Sequence, residues 1–255
     1  MHGSATFYIG PLFVLVAAGC VGLIVFVVAL ALRWNRVRQN QLAQFAASNG
    51  WPYSERLPHG RPPAIDIRRR VYATQAAEDF LQRFGGCPLF NSGSWRDVQN
   101  IMEGRKGNRN WVVFDYSFWR EHRQAEAERV EATCVVLDMP KEMPAFSVEP
   151  RLPFIGALME WYDSSDLVDT GDAEFDKLFI TRSIDPARAR GSLGPAVRTY
   201  LKGLCHGSKR YYRQLHVERN MVIVSETCAP AKHLEAMMEI AAGVASSLES
   251  VRRTT

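Results

Sequence analysis

From Leu12 to Leu32 the chain reads LFVLVAAGCVGLIVFVVALAL, an apolar run of 21 residues with no charged side chain. At about 1.5 Å rise per residue, a helix of this length crosses a hydrocarbon core of about 30 Å. No polar stripe interrupts the run, which separates it from the amphipathic helices that coat globular domains. Ala29 and Ala31 form an A-x-A string of the kind a signal peptidase cuts. Residues 1–11 nevertheless contain no Lys or Arg, and the run is longer than the roughly 7 to 15 residues of a signal-peptide core. One transmembrane helix over 12–32 is therefore expected. Helix-forming composition continues from Arg33 to Asn49, so the helix is expected to run on and stop at Gly50, where a positive φ would be useful.

Beyond the Pro- and Arg-rich stretch LPHGRPPAIDIRRR, which reads as a linker, the pattern changes to short periods. AEDFLQRF at 77–84 predicts a short helix before Gly85 and Gly86. Strands are expected at Asp97–Gly104, Trp111–Arg120 and Arg129–Asp138, with KGNRN joining the first two as a hairpin. In the second strand Val112, Phe114, Tyr116 and Phe118 share one face and predict the core side; Trp111, Val113, Asp115, Ser117 and Trp119 share the other. Glu121–Glu128 is charged on almost every turn and reads as an exposed, mobile connection. Pro144–Pro150 predicts an edge strand, FIGALMEWYD a helix, and Phe175–Asp185 a strand. Pro195–Leu204 predicts a helix, and Tyr211–Val217 with Met221–Glu226 a hairpin turning at Glu218, Arg219 and Asn220. From Pro230 to Arg252, Leu234, Met237, Met238, Ala241, Val244, Ala245, Leu248 and Val251 recur at steps of three and four, which marks one apolar helix face. The expected class is α+β: an N-terminal transmembrane helix, then antiparallel strands packed with helices, ending in a long amphipathic helix. The expected boundaries are a short extracytoplasmic N-terminus at 1–11, the membrane helix at 12–32, a basic juxtamembrane helix and linker at 33–70, and the soluble domain at 71–255.

Charge places the membrane side. The whole chain carries 31 basic and 27 acidic residues, a net of +4. Residues 33–70 hold eight Arg against Glu55 and Asp66, a local net of +6 that leaves −2 for the rest. Arg33, Arg36 and Arg38 follow the apolar run directly, so the positive-inside rule predicts a single-pass protein of the cell membrane with its soluble domain in the cytoplasm. Together with Arg68, Arg69 and Arg70 they are candidates for contact with anionic lipid headgroups, each worth about 1 kcal/mol when close to the surface. The expected partners are the bilayer, including anionic lipids, and a protein; so mild a net charge predicts no nucleic acid. The five cysteines are scattered without a C-x-x-C pair, as expected for reduced structural thiols.

Chemistry is sparse. No G-x-G-x-x-G, Walker loop, G-x-S-x-G or H-E-x-x-H string occurs, so no cofactor is expected. Cys205, His206, His216 and Cys228 have ligand-type side chains, but their spacing is unlike the short paired loops that clamp zinc, and no metal is expected. Asp115, midway between Trp111 and Trp119 on one strand face, is the candidate ligand-binding group: a carboxylate between aromatic walls suits a cationic or sugar-like ligand. Without a converging acid, base and nucleophile, the expected role is non-catalytic binding or scaffolding at the membrane. The alternative is a membrane-tethered hydrolase using Cys205 or a carboxylate near Asp115.

The stretch NSGSWRDVQNIMEGRKGNRNWVVFDYSFW, followed by EATCVVLDMP and by EFDKLFITRSIDPARA, resembles a family of actinobacterial membrane proteins. These pair an N-terminal hydrophobic anchor with a C-terminal domain of unknown function. Gly107, Val113, Phe114, Asp115, Tyr116 and Phe118 match the family's recurrent G-x-x-x-x-x-V-F-D-Y-x-(aromatic) core. The resemblance implies the anchored architecture and a bacterial origin, and it implies no catalytic residue.

Overall fold

The computed structural model describes residues 9–57, 75–91, 93–122, 125–151, 166–205 and 213–251. The chain divides into two compact units, 1–44 and 45–255. Helix α1 spans Ile9–Ser48, and one helix is thus long and apolar enough to cross a membrane. Its side chains from Val16 to Leu32 are exposed all round, an arrangement that suits hydrocarbon and not water. The helix ends where the sequence predicts. Gly50 has φ +69°, its N–H donates to the Ala47 carbonyl, and the Trp51 N–H donates to the Ala46 carbonyl. That paired closure is a Schellman cap, whose left-handed position favours glycine.

The second unit is built on one antiparallel sheet. Strands β1 (Tyr53–Arg56), β2 (Ser94–Lys106), β3 (Arg109–His122) and β4 (Ala125–Pro150) lie side by side in chain order. Gly107, with φ +66°, takes the first central position of the β2–β3 turn. β4 is the spine. β6 (Arg213–Glu226) pairs along both halves of one edge of β4, while β3 occupies the other edge up to Leu137 and β5 (Phe179–Arg182) takes it over from Ser147. Pro140 and Pro144 fall in the interval that neither β3 nor β5 pairs, where a missing N–H costs no ladder bond.

Four sequence expectations are corrected here. Pro144–Pro150 is the second half of β4, paired on both edges. The Glu218–Asn220 turn does not form: β6 runs straight through, and Arg219, at φ +51°, pairs with Met143 where β4 carries the extra residues of a bulge. A polar triplet flanked by apolar runs looks the same in sequence whether it turns or continues a strand past a bulge in its partner. Strand pairing runs into the Glu121–Glu128 stretch, where Arg120 pairs with Glu128 and His122 with Ala125. Phe175–Asp185 splits into helix α4 (Ala173–Leu178) and strand β5, since Asp172 accepts a hydrogen bond from the Phe175 N–H at 3.1 Å and caps the helix. The predicted helix at 154–163 and most of the predicted linker lie outside the described residues.

Helices cover both faces. On one, the predicted core row of Val112, Phe114, Tyr116 and Phe118 is buried beneath α2 (Gln75–Gln82), Phe84 and α3 (Pro88–Asn91). Phe114 sits among three rings, its centroid 5.1 Å from Phe80, 5.3 Å from Phe84 and 5.6 Å from Phe90. On the other face Val113, Val135, Leu137, Val222 and Val224 are fully buried, and α7 (Leu234–Val251) packs on β4 and β6. Every member of the predicted α7 stripe from Leu234 to Leu248 is buried. Helices α5 (Pro186–Ser192) and α6 (Pro195–Cys205) complete this side.

One close approach needs a glycine. A Cβ on Gly104 would lie 2.1 Å from the Trp51 ring, and that indole is held by its Nε1 donating to the Arg105 carbonyl at 3.3 Å and by an edge contact with Phe45. Gly104→Ala is expected to expel the ring and to cost about 2 kcal/mol, as over-packing does. In a Trp51→Ala background the same change should be nearly neutral, which a double-mutant cycle on thermal melts would check.

Candidate functional site

The sheet carries two polar features. The first is a hydrogen-bonded string through four strands. Tyr53 Oη donates to Asn100 Oδ1 at 2.6 Å, Asn100 Nδ2 donates to Asp115 Oδ2 at 2.7 Å, and Thr133 Oγ1 donates to Asp115 Oδ1 at 2.8 Å. The Ala229 N–H closes the string by donating to Thr133 Oγ1 at 3.0 Å. Asn100 reaches Asp115 because β2 bulges there, with Asn100 itself at φ +52°. In register, Gln99, Asp115, Thr133 and Glu226 form one row on the sheet face that α7 covers further along. Glu226 ends it with a 3.1 Å contact to His233 Nδ1 on the turn before α7.

The second feature is a groove of about 580 Å³ at the β2–β3 turn end of the opposite face. Glu103, Arg105, Asn110, Val112, Asp138 and Met221 form the floor, and Arg83 and Phe84 stand at the wall. Arg83 makes a two-pronged ion pair with Glu103, at 2.6 and 3.0 Å, and its guanidinium lies 5.2 Å from the Phe80 ring centroid. The hydrogen bond to Glu103 is the main reason its pKa is raised, and Asp138 adds to the same pull across the groove. Asn110 Nδ2 donates to Asp138 Oδ2 at 3.3 Å.

The sequence-predicted residues are therefore separated. Trp111 is buried, at 5% exposure, whereas Trp119 is 38% exposed. Eight strand positions apart, they are about 26 Å from each other at roughly 3.3 Å per residue. They do not flank Asp115 as two walls of one small cleft. Both Asp115 oxygens accept hydrogen bonds from neighbouring strands. Of the basic candidates, Arg33, Arg36 and Arg38 lie on α1, and Arg68, Arg69 and Arg70 lie outside the described residues. Among the described residues, no three His, Cys, Asp or Glu side chains gather as metal ligands would. His206 lies outside them, Cys228 is exposed, and His216 is buried on β6. Burial pushes the Cys87 thiol up to about 12 and raises Cys134 as well; thiols so held are poor nucleophiles. The groove was missed in sequence because its residues come from four strands and a helix end.

His216 gives the domain a pH dependence. Burial lowers its pKa from 6.5 to about 4, so the unfolded chain binds a proton that the folded chain refuses. Stability is expected to fall as pH drops from about 6.5 towards about 4. Glu218, whose pKa burial raises, acts with the opposite sign. Melting curves across this interval should show a smaller acid loss in His216→Phe than in the unaltered chain; identical slopes would contradict it.

No family model and no curated protein matches the chain. Among solved structures, the crystal structure of the mycobacterial trehalose monomycolate transport factor A, TtfA, is similar, with a TM-score of 0.53. The sequences are 12% identical over a match covering 84% of this chain and 95% of that one. At this identity the likeness is one of fold.

Proposed function

We propose that this chain is a membrane-anchored accessory factor for transport of an amphipathic lipid, acting by binding and not by catalysis. The observation that carries the reading is the shared fold with a transport factor over nearly the whole of both chains, joined to an N-terminal helix fit to span a bilayer. In this reading α1 holds the domain at the cytoplasmic surface, where Arg33, Arg36 and Arg38 face anionic headgroups. The partners are the bilayer and a second protein that moves the lipid. Asp115 and its hydrogen-bonded neighbours hold the strands in register, and the groove at the sheet's end is the binding surface.

Deletion of the gene in its own host tests this reading. Extraction of the envelope lipids in layers should show one lipid accumulating in the inner membrane and depleted outside, with full restoration by the intact gene. An unchanged lipid distribution would overturn the proposal.

A further inference from the structure

The groove at the β2–β3 turn end has a donor set that selects among ligand chemistries. Its charged lining consists of Arg83 and Arg105 against Glu103 and Asp138, so the formal charges cancel and give no net pull on a phosphate, a carboxylate or an ammonium group. An acyl chain would have to desolvate these groups without replacing their hydrogen bonds. A hydroxyl both donates and accepts, and a row of hydroxyls matches alternating donors and acceptors. Arg105, Asn110 and Asp138 supply such a row: Arg105 lies opposite Asn110 in the β2–β3 register, and Asn110 bonds Asp138 on β4. Neighbouring strands space these planar groups about 4.8 Å apart. Val112 and Met221 provide an apolar floor for the C–H face of a ring. Arg83 is already fixed by Glu103 and the Phe80 ring, so little ordering remains to be done on binding.

We infer that this groove binds a neutral polyhydroxylated ring compound, a sugar or disaccharide, either free or as the head of a glycolipid. The inference deepens the lipid-transport reading by naming the part of the cargo the domain grips. At about 580 Å³ the groove lies within the range of small-molecule sites, roughly 300 to 1,000 Å³.

The test uses the full chain in a detergent without a sugar head, titrated by calorimetry with trehalose, with mono-acylated trehalose and with inorganic phosphate. Saturable binding of trehalose is expected, and Asp138→Asn and Arg105→Ala should each weaken it at least tenfold with unchanged melting curves. Binding of both sugar forms supports the groove as a glycolipid-head site, and binding of the unacylated form alone supports it as a free-sugar site. No saturable heat from either sugar, phosphate binding tighter than trehalose, or insensitivity to both variants overturns the inference. The lipid distribution in the deletion strain is read independently. If it shifts as expected while no sugar binds, the transport reading stands and the groove assignment falls; if it does not shift, the transport reading falls whatever binds.

Discussion

Replacing Phe114 by alanine is expected to lower the stability of the folded domain by about 4 kcal/mol, within the roughly 3 to 5 seen when a buried aromatic side chain is removed. Phe114 is fully buried and packs against Phe80, Phe84 and Phe90 at once. Its loss removes both the buried area and three aromatic contacts, and rigid strands on either side limit collapse of the cavity. Phe114→Leu should cost distinctly less, because it keeps much of the volume. Denaturant melts of the full chain in detergent, followed by circular dichroism, would measure the difference. Equal losses in the two variants would mean that the helices close over the gap.

The second large effect is expected at Asp115. Asp115→Ala removes the acceptor of two short hydrogen bonds and leaves Asn100 and Thr133, at 4% and 1% exposure, without that partner. A cost of about 3 kcal/mol follows from losing charge-assisted bonds and stranding buried donors. Asp115→Asn keeps the shape and one acceptor oxygen, so roughly half of that loss is expected. The same melts decide it. A neutral alanine variant would show that the string does not support the sheet.

Much of the fold was legible in local pattern. The apolar run and Gly50 marked α1 and its cap; Gly107 marked the β2–β3 turn; the alternation from Val112 to Phe118 and the stripe from Leu234 to Leu248 marked the buried faces. These signals depend on residues close in sequence, for which side-chain period and cap chemistry suffice. What was not legible depends on partners far along the chain. β4 is one strand of 26 residues because β6 supports it past Pro140 and Pro144, and nothing within 129–150 records that support. Residues 218–220 continue β6 and do not turn for the same reason.

The sites divide in the same way. Asp115 stood out as a carboxylate between Trp111 and Trp119 on one strand face; its hydrogen-bond partners Asn100 and Thr133, and Tyr53 beyond Asn100, come from three other strands and gave no local hint. Asn100 in particular occupies a left-handed bulge that its sequence context does not advertise. Trp111 and Trp119 share a strand face with Asp115, but parity along a strand reports direction and not distance. The groove brings Arg83 from beyond α2 to Glu103 and Asp138, a juxtaposition set by sheet register and helix placement together.

We propose that α1 holds a binding domain at the cytoplasmic face of the membrane, and topology tests this most directly. C-terminal fusions of the full chain to a fluorescent protein active only in the cytoplasm and to a phosphatase active only outside it should give fluorescence without phosphatase activity. Phosphatase activity without fluorescence would place the domain outside the cytoplasm and contradict the claim.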